Sequence, residues 1–127
     1  MRIRHVSDPL VDRMTYTFTI LGKPERQQRP RFVRGRVWMP SRKAQTGLGR
    51  DIWAQMAQHG WKITQCPVAL TIAFYGCGRS DLSNLVKLWE DAANTILWID
   101  DRQVMEVHAK MLRKDPRPRT EVEVVEL

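Results

Sequence analysis

A chain of 127 residues holds one domain and one core but not two, and 43% apolar residues exclude a disordered chain. No apolar run approaches the ~20 residues of a membrane span, and the N-terminus lacks the apolar core of a signal peptide, so the expected location is the cytoplasm. The net charge of +7 is uneven: residues 1–50 carry twelve Lys/Arg against three Asp/Glu, a net of +9, whereas residues 51–127 carry nine against eleven, a net of −2. Such asymmetry points to nucleic acid first and an anionic membrane surface second, with plain surface solvation as the simpler alternative.

Residues 1–13 are mixed and unperiodic, and Pro9 breaks any helix, so they read as an arm of uncertain order. Residues 14–21 set Tyr16, Phe18 and Ile20 against Thr15, Thr17 and Thr19, the alternation of a strand. Gly22-Lys23-Pro24 ends it. A cationic segment follows with Arg26, Arg29, Arg31, Arg34 and Arg36, and apolar residues on both sides of Gly35 predict a short hairpin. A helix is predicted from a Ser41 N-cap to about His59, stopped by Gly60, with Leu48, Ile52 and Met56 facing inward. Gly47 and Gly49 weaken its first half.

Residues 67–75 alternate as a second strand. A helix is predicted from Ser80 or Asp81 to about Leu97, burying Leu82, Leu85, Trp89, Ala92 and Ile96. Residues 103–112 place Met105, Val107, Ala109 and Met111 on one side of a strand. Asp115-Pro116-Arg117-Pro118 is a turn, and residues 120–127 are expected to close a hairpin with the strand before. The fold class is α+β: a mixed, partly antiparallel sheet with two main helices packed on it, in one domain over residues 1–127. Cys66 and Cys77 lack the spacing of a zinc site and read as small residues in or beside a strand.

Against this basic background, carboxylates stand out at Asp81, just after a strand, and at Asp100-Asp101, before the next one. Asp81 has a plain alternative as a helix N-cap, and Asp100-Asp101 as turn residues. The expectation that favours chemistry is that the intervening helix returns the chain, so both loops lie at one end of the sheet and converge on one ion. With oxygen donors and no His/Cys set, that ion is Mg²⁺. Lys87 lies on one helical stripe with Ser83 and Asp91. It either stabilises charge at a phosphate or forms a surface ion pair with Asp91.

The run Asp81-Leu82-Ser83-Asn84-Leu85-Val86-Lys87, then Asp91-Ala92, then Trp98-Ile99-Asp100-Asp101-Arg102-Gln103-Val104 resembles the RusA family of Holliday junction resolvases. Phe18 to Pro24, followed by Gln28-Arg29-Pro30-Arg31, is also similar to that family, and the likeness spans roughly residues 16–126. The resemblance implies a small homodimeric endonuclease, typical of phages and prophages, that nicks opposed strands of four-way DNA junctions with Mg²⁺ or Mn²⁺. The family's essential carboxylates fall on Asp81, Ser83 and Asp101, and its lysine on Lys87. Asp91, Asp100 and Asn84 match further positions of the pattern, Asp100 as a further candidate metal ligand.

Ser83 is the departure, since the family has Asp there. A hydroxyl is neutral and a weaker Mg²⁺ ligand, which leaves three alternatives: Asp81 and Asp101 suffice with extra waters, a neighbour such as Asp91 or Asp100 substitutes, or cleavage is weak. In the last case the protein binds junctions without cutting them. Arg29, Arg31, Arg34, Arg36, Arg42, Lys43, Arg79 and Arg102 are the candidate DNA contacts. Of five tryptophans, Trp53 and Trp89 are expected in core or dimer packing, and Trp98 against DNA. A basic protein without junction preference is the remaining alternative class.

Overall fold

The computed structural model describes residues 2–5, 12–26, 31–38 and 42–127. Its main sheet has five strands: β1 (Arg2–His5), β2 (Asp12–Leu21), β5 (Val68–Tyr75), β6 (Val104–Leu112) and β7 (Arg119–Glu126). A separate two-stranded ribbon holds β3 (Arg31–Val33) and β4 (Arg36–Trp38). Helices α1 (Arg42–His59) and α2 (Leu82–Ala93) complete the α+β fold. The order in the main sheet is β1-β2-β7-β5-β6, antiparallel throughout except for the parallel pair β5–β6.

Residues 2–5, part of the segment read as an arm of uncertain order, form β1 and pair with β2, Arg2 opposite Thr15. One expectation is corrected here. The closing segment is not a hairpin: β5 lies between β6 and β7. The reason is burial. In the centre of the sheet β7 hides Thr120, Val122 and Val124 against Tyr16, Phe18 and Ile72, a gain that an edge position cannot match. The connection over residues 113–118 crosses the end of β5, held by Gly76 N–H to Leu112 O at 2.8 Å and Gly78 N–H to Arg113 O at 3.0 Å. Gly76 adopts φ +73, and a Cβ there would meet Pro118 at 3.0 Å, so this crossing requires glycine.

The β3–β4 hairpin is present as expected, with a two-residue turn in which Arg34 and Gly35 both take positive φ, 51° and 75°. That is the primed turn whose twist suits a tight hairpin. The Ser41 cap, Pro9, Arg29 and Met39 lie outside the described residues. Helix α1 buries Ile52 and Met56 and ends at Gly60, φ +68. Gly49 is a contact point rather than a weakness: a Cβ there would come within 3.3 Å of Ile96 Cδ1 and 3.4 Å of Ala92 O, so its absence lets α1 lie close against α2.

Helix α2 ends at Ala93, earlier than the apolar pattern predicts. Thr95 takes φ 67, its N–H donates to Trp98 O at 2.7 Å, and Leu97 O accepts from Thr64 N–H at 3.0 Å. Leu97 and Trp98 are thus buried from a turn rather than from the helix. Of the two tryptophans expected in core or dimer packing, Trp89 is in the core and Trp53, 64% exposed, is not. No helix among the described residues is long and apolar enough to cross a membrane. Cys77 is buried, and no disulfide joins it to Cys66.

Candidate active site

Helix α2 is sharply two-faced. Leu85, Leu88, Trp89, Ala92 and Ala93 enter the core. The opposite stripe carries Ser83, Val86, Lys87 and Glu90, spaced by three or four residues, so they share one side. Together with Leu82 and Asp91 they line an open groove of about 540 Å³ whose other wall is Ala109 of β6 and Asp101. Four of the expected site residues, Ser83, Lys87, Asp91 and Asp101, therefore meet along one groove.

Asp101 opens a one-turn 3-10 helix (Asp101–Gln103). Its Oδ1 accepts the indole N–H of Trp98 at 2.9 Å, and Trp98 is completely buried. Trp98 is thus a residue that positions the acid from below, which corrects the expectation that it faces DNA. Gln103 fixes the same turn from the other side. Its Oε1 accepts from Ile99 and Asp100 N–H at 2.8 and 2.9 Å, and its Nε2 donates to Thr64 O and Cys66 O at 3.0 and 2.9 Å. Only an amide offers both donor and acceptor in that shape.

Asp100 is used differently. It caps the turn, accepting Arg102 N–H at 2.8 Å and the Arg102 guanidinium at 3.3–3.4 Å. The hydrogen bond from the Arg102 backbone, then those from its side chain, hold the Asp100 carboxyl below the usual range. Both of its oxygens are engaged, and it does not line the groove.

Asp81 occupies the N-cap position of α2, yet its side chain makes no cap hydrogen bond. One oxygen accepts a long 3.5 Å contact from Asn84 Nδ2, and the carboxylate stays exposed. The expected convergence of Asp81 with Asp101 is corrected by topology. Because β5 and β6 are parallel, with Val68 beside Val104 and Tyr75 beside Leu112, the loop after β5 and the loop before β6 lie at opposite ends of that pair. Asp81 stands at the N-cap of α2 and Asp101 comes after its far end, with a 12-residue helix roughly 18 Å long between them.

Glu90 is the residue that the sequence reading missed. It is half-buried in the groove and makes no hydrogen bond or ion pair with a described residue. Burial, then the charges of Asp101 and Asp91, push its carboxyl above the usual range, while Lys87 pulls it back. The signal was available: Glu90 lies three residues after Lys87 and seven after Ser83, on the same stripe. Lys87 forms no ion pair with Asp91, so its ammonium stays exposed in the groove.

Among the described residues no three of His, Cys, Asp and Glu are gathered closely enough to enclose a metal ion. The donor set nonetheless has the right chemistry for a hard divalent cation. Asp101 and Glu90 offer carboxylate oxygens at one end of the groove, and such an ion commonly takes one or two carboxylates and keeps its waters.

The basic candidates on the hairpin and α1 sit apart from the acids in sequence, Arg79 and Arg102 sit beside them, and all six are open to solvent. Arg34 and Arg36 project from the β3–β4 hairpin, Arg42 and Lys43 from the start of α1, Arg79 from the loop before Asp81, and Arg102 from the acidic turn. For Arg31 only the strand position is described.

An acid-lined groove on a protein that also bears exposed arginines is the layout of an enzyme that cuts nucleic acid. Over residues 22–125 the chain matches the family described as Endodeoxyribonuclease RusA, and it belongs to that family. No curated protein matches the chain.

Proposed function

We propose that this protein is a cytoplasmic Holliday junction resolvase that nicks opposed strands of four-way DNA with Mg²⁺, or Mn²⁺ in its place. The observation that carries the reading is the groove in which Asp101, Lys87 and the α2 stripe face one another, within a family of endodeoxyribonucleases. Asp101 and Asp81 would hold the cation. When bound, it supplies a Lewis acid and an activated water for phosphodiester hydrolysis. Trp98 keeps the Asp101 carboxylate oriented. The Lys87 ammonium counters charge that builds on the phosphate oxygens. Arg34, Arg36, Arg42, Lys43, Arg79 and Arg102, with Arg29 and Arg31, hold the DNA arms through their phosphates.

A homodimer is part of this reading. Four-way junctions have near two-fold symmetry, which a C2 pair of subunits matches. Strand β6 is a free sheet edge on which Met105 and Val107 are 60% and 42% exposed. Antiparallel pairing of β6 with a second copy about His108 would set Glu106 opposite the partner subunit's Lys110, and the reverse. The same pairing brings Asp101 of the partner subunit toward the Leu112 end of β6. The loop that ends in Asp81 is anchored at that end through Gly76, Gly78 and Arg113. Two acids separated within one chain would then share a site between chains.

A synthetic four-way junction incubated with Mg²⁺ tests the activity, and paired opposed nicks are expected. Mixing Asp81→Asn with Asp101→Asn subunits tests the assembly. A shared site regenerates one intact centre and some nicking, whereas sites within single chains regenerate none. A second reading is favoured by Ser83, a neutral group in the groove: the protein binds junctions and cuts weakly or not at all. Tight, salt-sensitive junction binding without nicks, converted to cleavage by Ser83→Asp, would establish it.

A further inference from the structure

We infer that the cleft between α1 and α2 is a stacking site for one unpaired nucleobase, with the Trp53 indole as its platform. The inference rests on the DNA-cutting reading above. It adds a contact for single-stranded DNA that begins where the acidic groove ends.

Four observations carry it. The first is shape. The cleft holds about 360 Å³, near the lower end for a small-ligand site, which suits one flat ring system. Gly49 and Ala92 are buried and form its floor. Trp53 follows Gly49 by one turn on the same stripe of α1 and is 64% exposed. A lone exposed aromatic is ordinary on a protein surface. This one borders a cleft whose other wall carries the half-buried Ile96 and the Asn94 amide.

The second is an amide without a partner. Asn94 Oδ1 is shut off from water and accepts no hydrogen bond from a described residue. An acceptor left in that state costs stability until a donor arrives. The exocyclic amino group of adenine or cytosine is such a donor, and an asparagine amide can pair with adenine through both N6 and N7. The backbone of Asn94 is fixed, its N–H donating to Glu90 O at 3.0 Å. Its terminal torsion is soft, so the amide can turn to a base edge.

The third is charge. Arg50 lines the cleft and is exposed, and Arg42 lies two turns earlier on the same stripe with Thr46 between them. The Thr46 hydroxyl donates to Arg42 O at 2.9 Å. The two guanidinium groups thus form a cationic edge beside the aromatic platform, the pairing that single-stranded nucleic acid requires. The fourth is continuity. Asp91 lines both this cleft and the groove that holds Asp101 and Lys87. Its carboxylate repels phosphate at the shared rim, which leaves the Arg50 side for the sugar-phosphate chain. A base drawn from the branch point would rest on Trp53 while its strand continues into the groove.

The test uses the full chain with a chelator present, so that no strand is cut during the measurement. Fluorescence anisotropy at one salt concentration reads binding of labelled oligo-dA, oligo-dC and oligo-dT, an abasic strand, a blunt duplex and a four-way junction. Trp53→Ala is expected to weaken binding of the three base-bearing single strands by about 5- to 150-fold, the loss of one stacked base. The abasic strand and the duplex should bind it as they bind the wild type. Trp53→Phe should keep most of the affinity, because a smaller ring still stacks. Asn94→Ala should lower oligo-dA and oligo-dC binding more than oligo-dT, which has no amino group to donate. Because Trp53 is exposed, its alanine variant should melt as the wild type does. The inference is overturned if Trp53→Ala binds single strands unchanged, or loses abasic and duplex binding in equal measure. It is also overturned if sedimentation shows that this variant dissociates a dimer, which would assign the face to a second copy of the chain. In each of those cases intact junction binding by the wild type leaves the junction-cutting reading standing. A wild type that binds none of these DNAs removes both.

Discussion

Trp98→Phe isolates the contact on which the acidic turn depends. The indole N–H donates to Asp101 Oδ1 at 2.9 Å from a fully buried ring. A hydrogen bond to an ionised carboxylate contributes about 1.5–3 kcal/mol. The lost ring volume costs about 1–2 kcal/mol more. The expected destabilisation is therefore about 2.5–5 kcal/mol. Trp89 is the internal control. It is 1% exposed and packs with its centroid 6.3 Å from that of Trp98, but its Nε1 has no hydrogen-bond partner among the described residues. Trp89→Phe loses comparable volume while removing an unsatisfied buried donor, so its cost should stay at or below about 2 kcal/mol. Urea unfolding of the two variants measures the difference. Mn²⁺ titration should show a 10- to 100-fold loss of affinity in Trp98→Phe and little change in Trp89→Phe, as expected when a group that orients a ligand is lost. Equal destabilisation of both variants, or unchanged metal affinity in Trp98→Phe, would refute the positioning role.

Gln103→Leu removes four hydrogen bonds from the same turn, and a loss of about 2–5 kcal/mol in urea unfolding is expected, with cleavage falling as Asp101 drifts. The double variant Arg34→Ala/Arg36→Ala should weaken junction and duplex binding alike. The slope of log K against log salt should become shallower by about 2, read from binding isotherms at several salt concentrations. Burial is the first cause that lifts the Tyr16 phenol above its ordinary 10.0, so its stabilising contribution is present below that pH and is lost as pH rises through the higher folded-state value. Tyr16→Phe should flatten this alkaline loss in thermal melts against pH. It should also cost about 1 kcal/mol at neutral pH, because the hydroxyl donates to Lys62 O at 2.9 Å.

Strands β2 and β5, the β3–β4 hairpin and helix α1 were legible because each writes its own period into the chain: Tyr16/Phe18/Ile20, Val68/Leu70/Ile72 and Ile52/Met56 all enter the core as the alternation requires. What period cannot specify is the neighbour. Residues 120–127 read as a strand, but nothing local distinguishes pairing with β6 from insertion beside β5. The parallel sense of β5 and β6 was hidden for the same reason, and with it the separation of Asp81 from Asp101. Trp98 was misplaced because a tryptophan beside acids looks like a surface feature, when its ring fills the core and only its N–H reaches the carboxylate. Glu90 matches no motif position beside Asp91, and only its helical spacing from Ser83 and Lys87 marks it as lining the groove.

Strand β7, which follows the other four strands of the sheet in chain order, is the middle strand of that sheet. Until β7 emerges, β2 and β5 have no common partner and their apolar faces stay wet, so the nascent chain cannot finish its core before that point. Premature termination before Arg119 would therefore split the sheet into a β1–β2 pair and a β5–β6 pair, rather than trimming its rim. The aspartates precede β7 in the chain, yet their scaffold would become rigid only once β7 has joined the sheet.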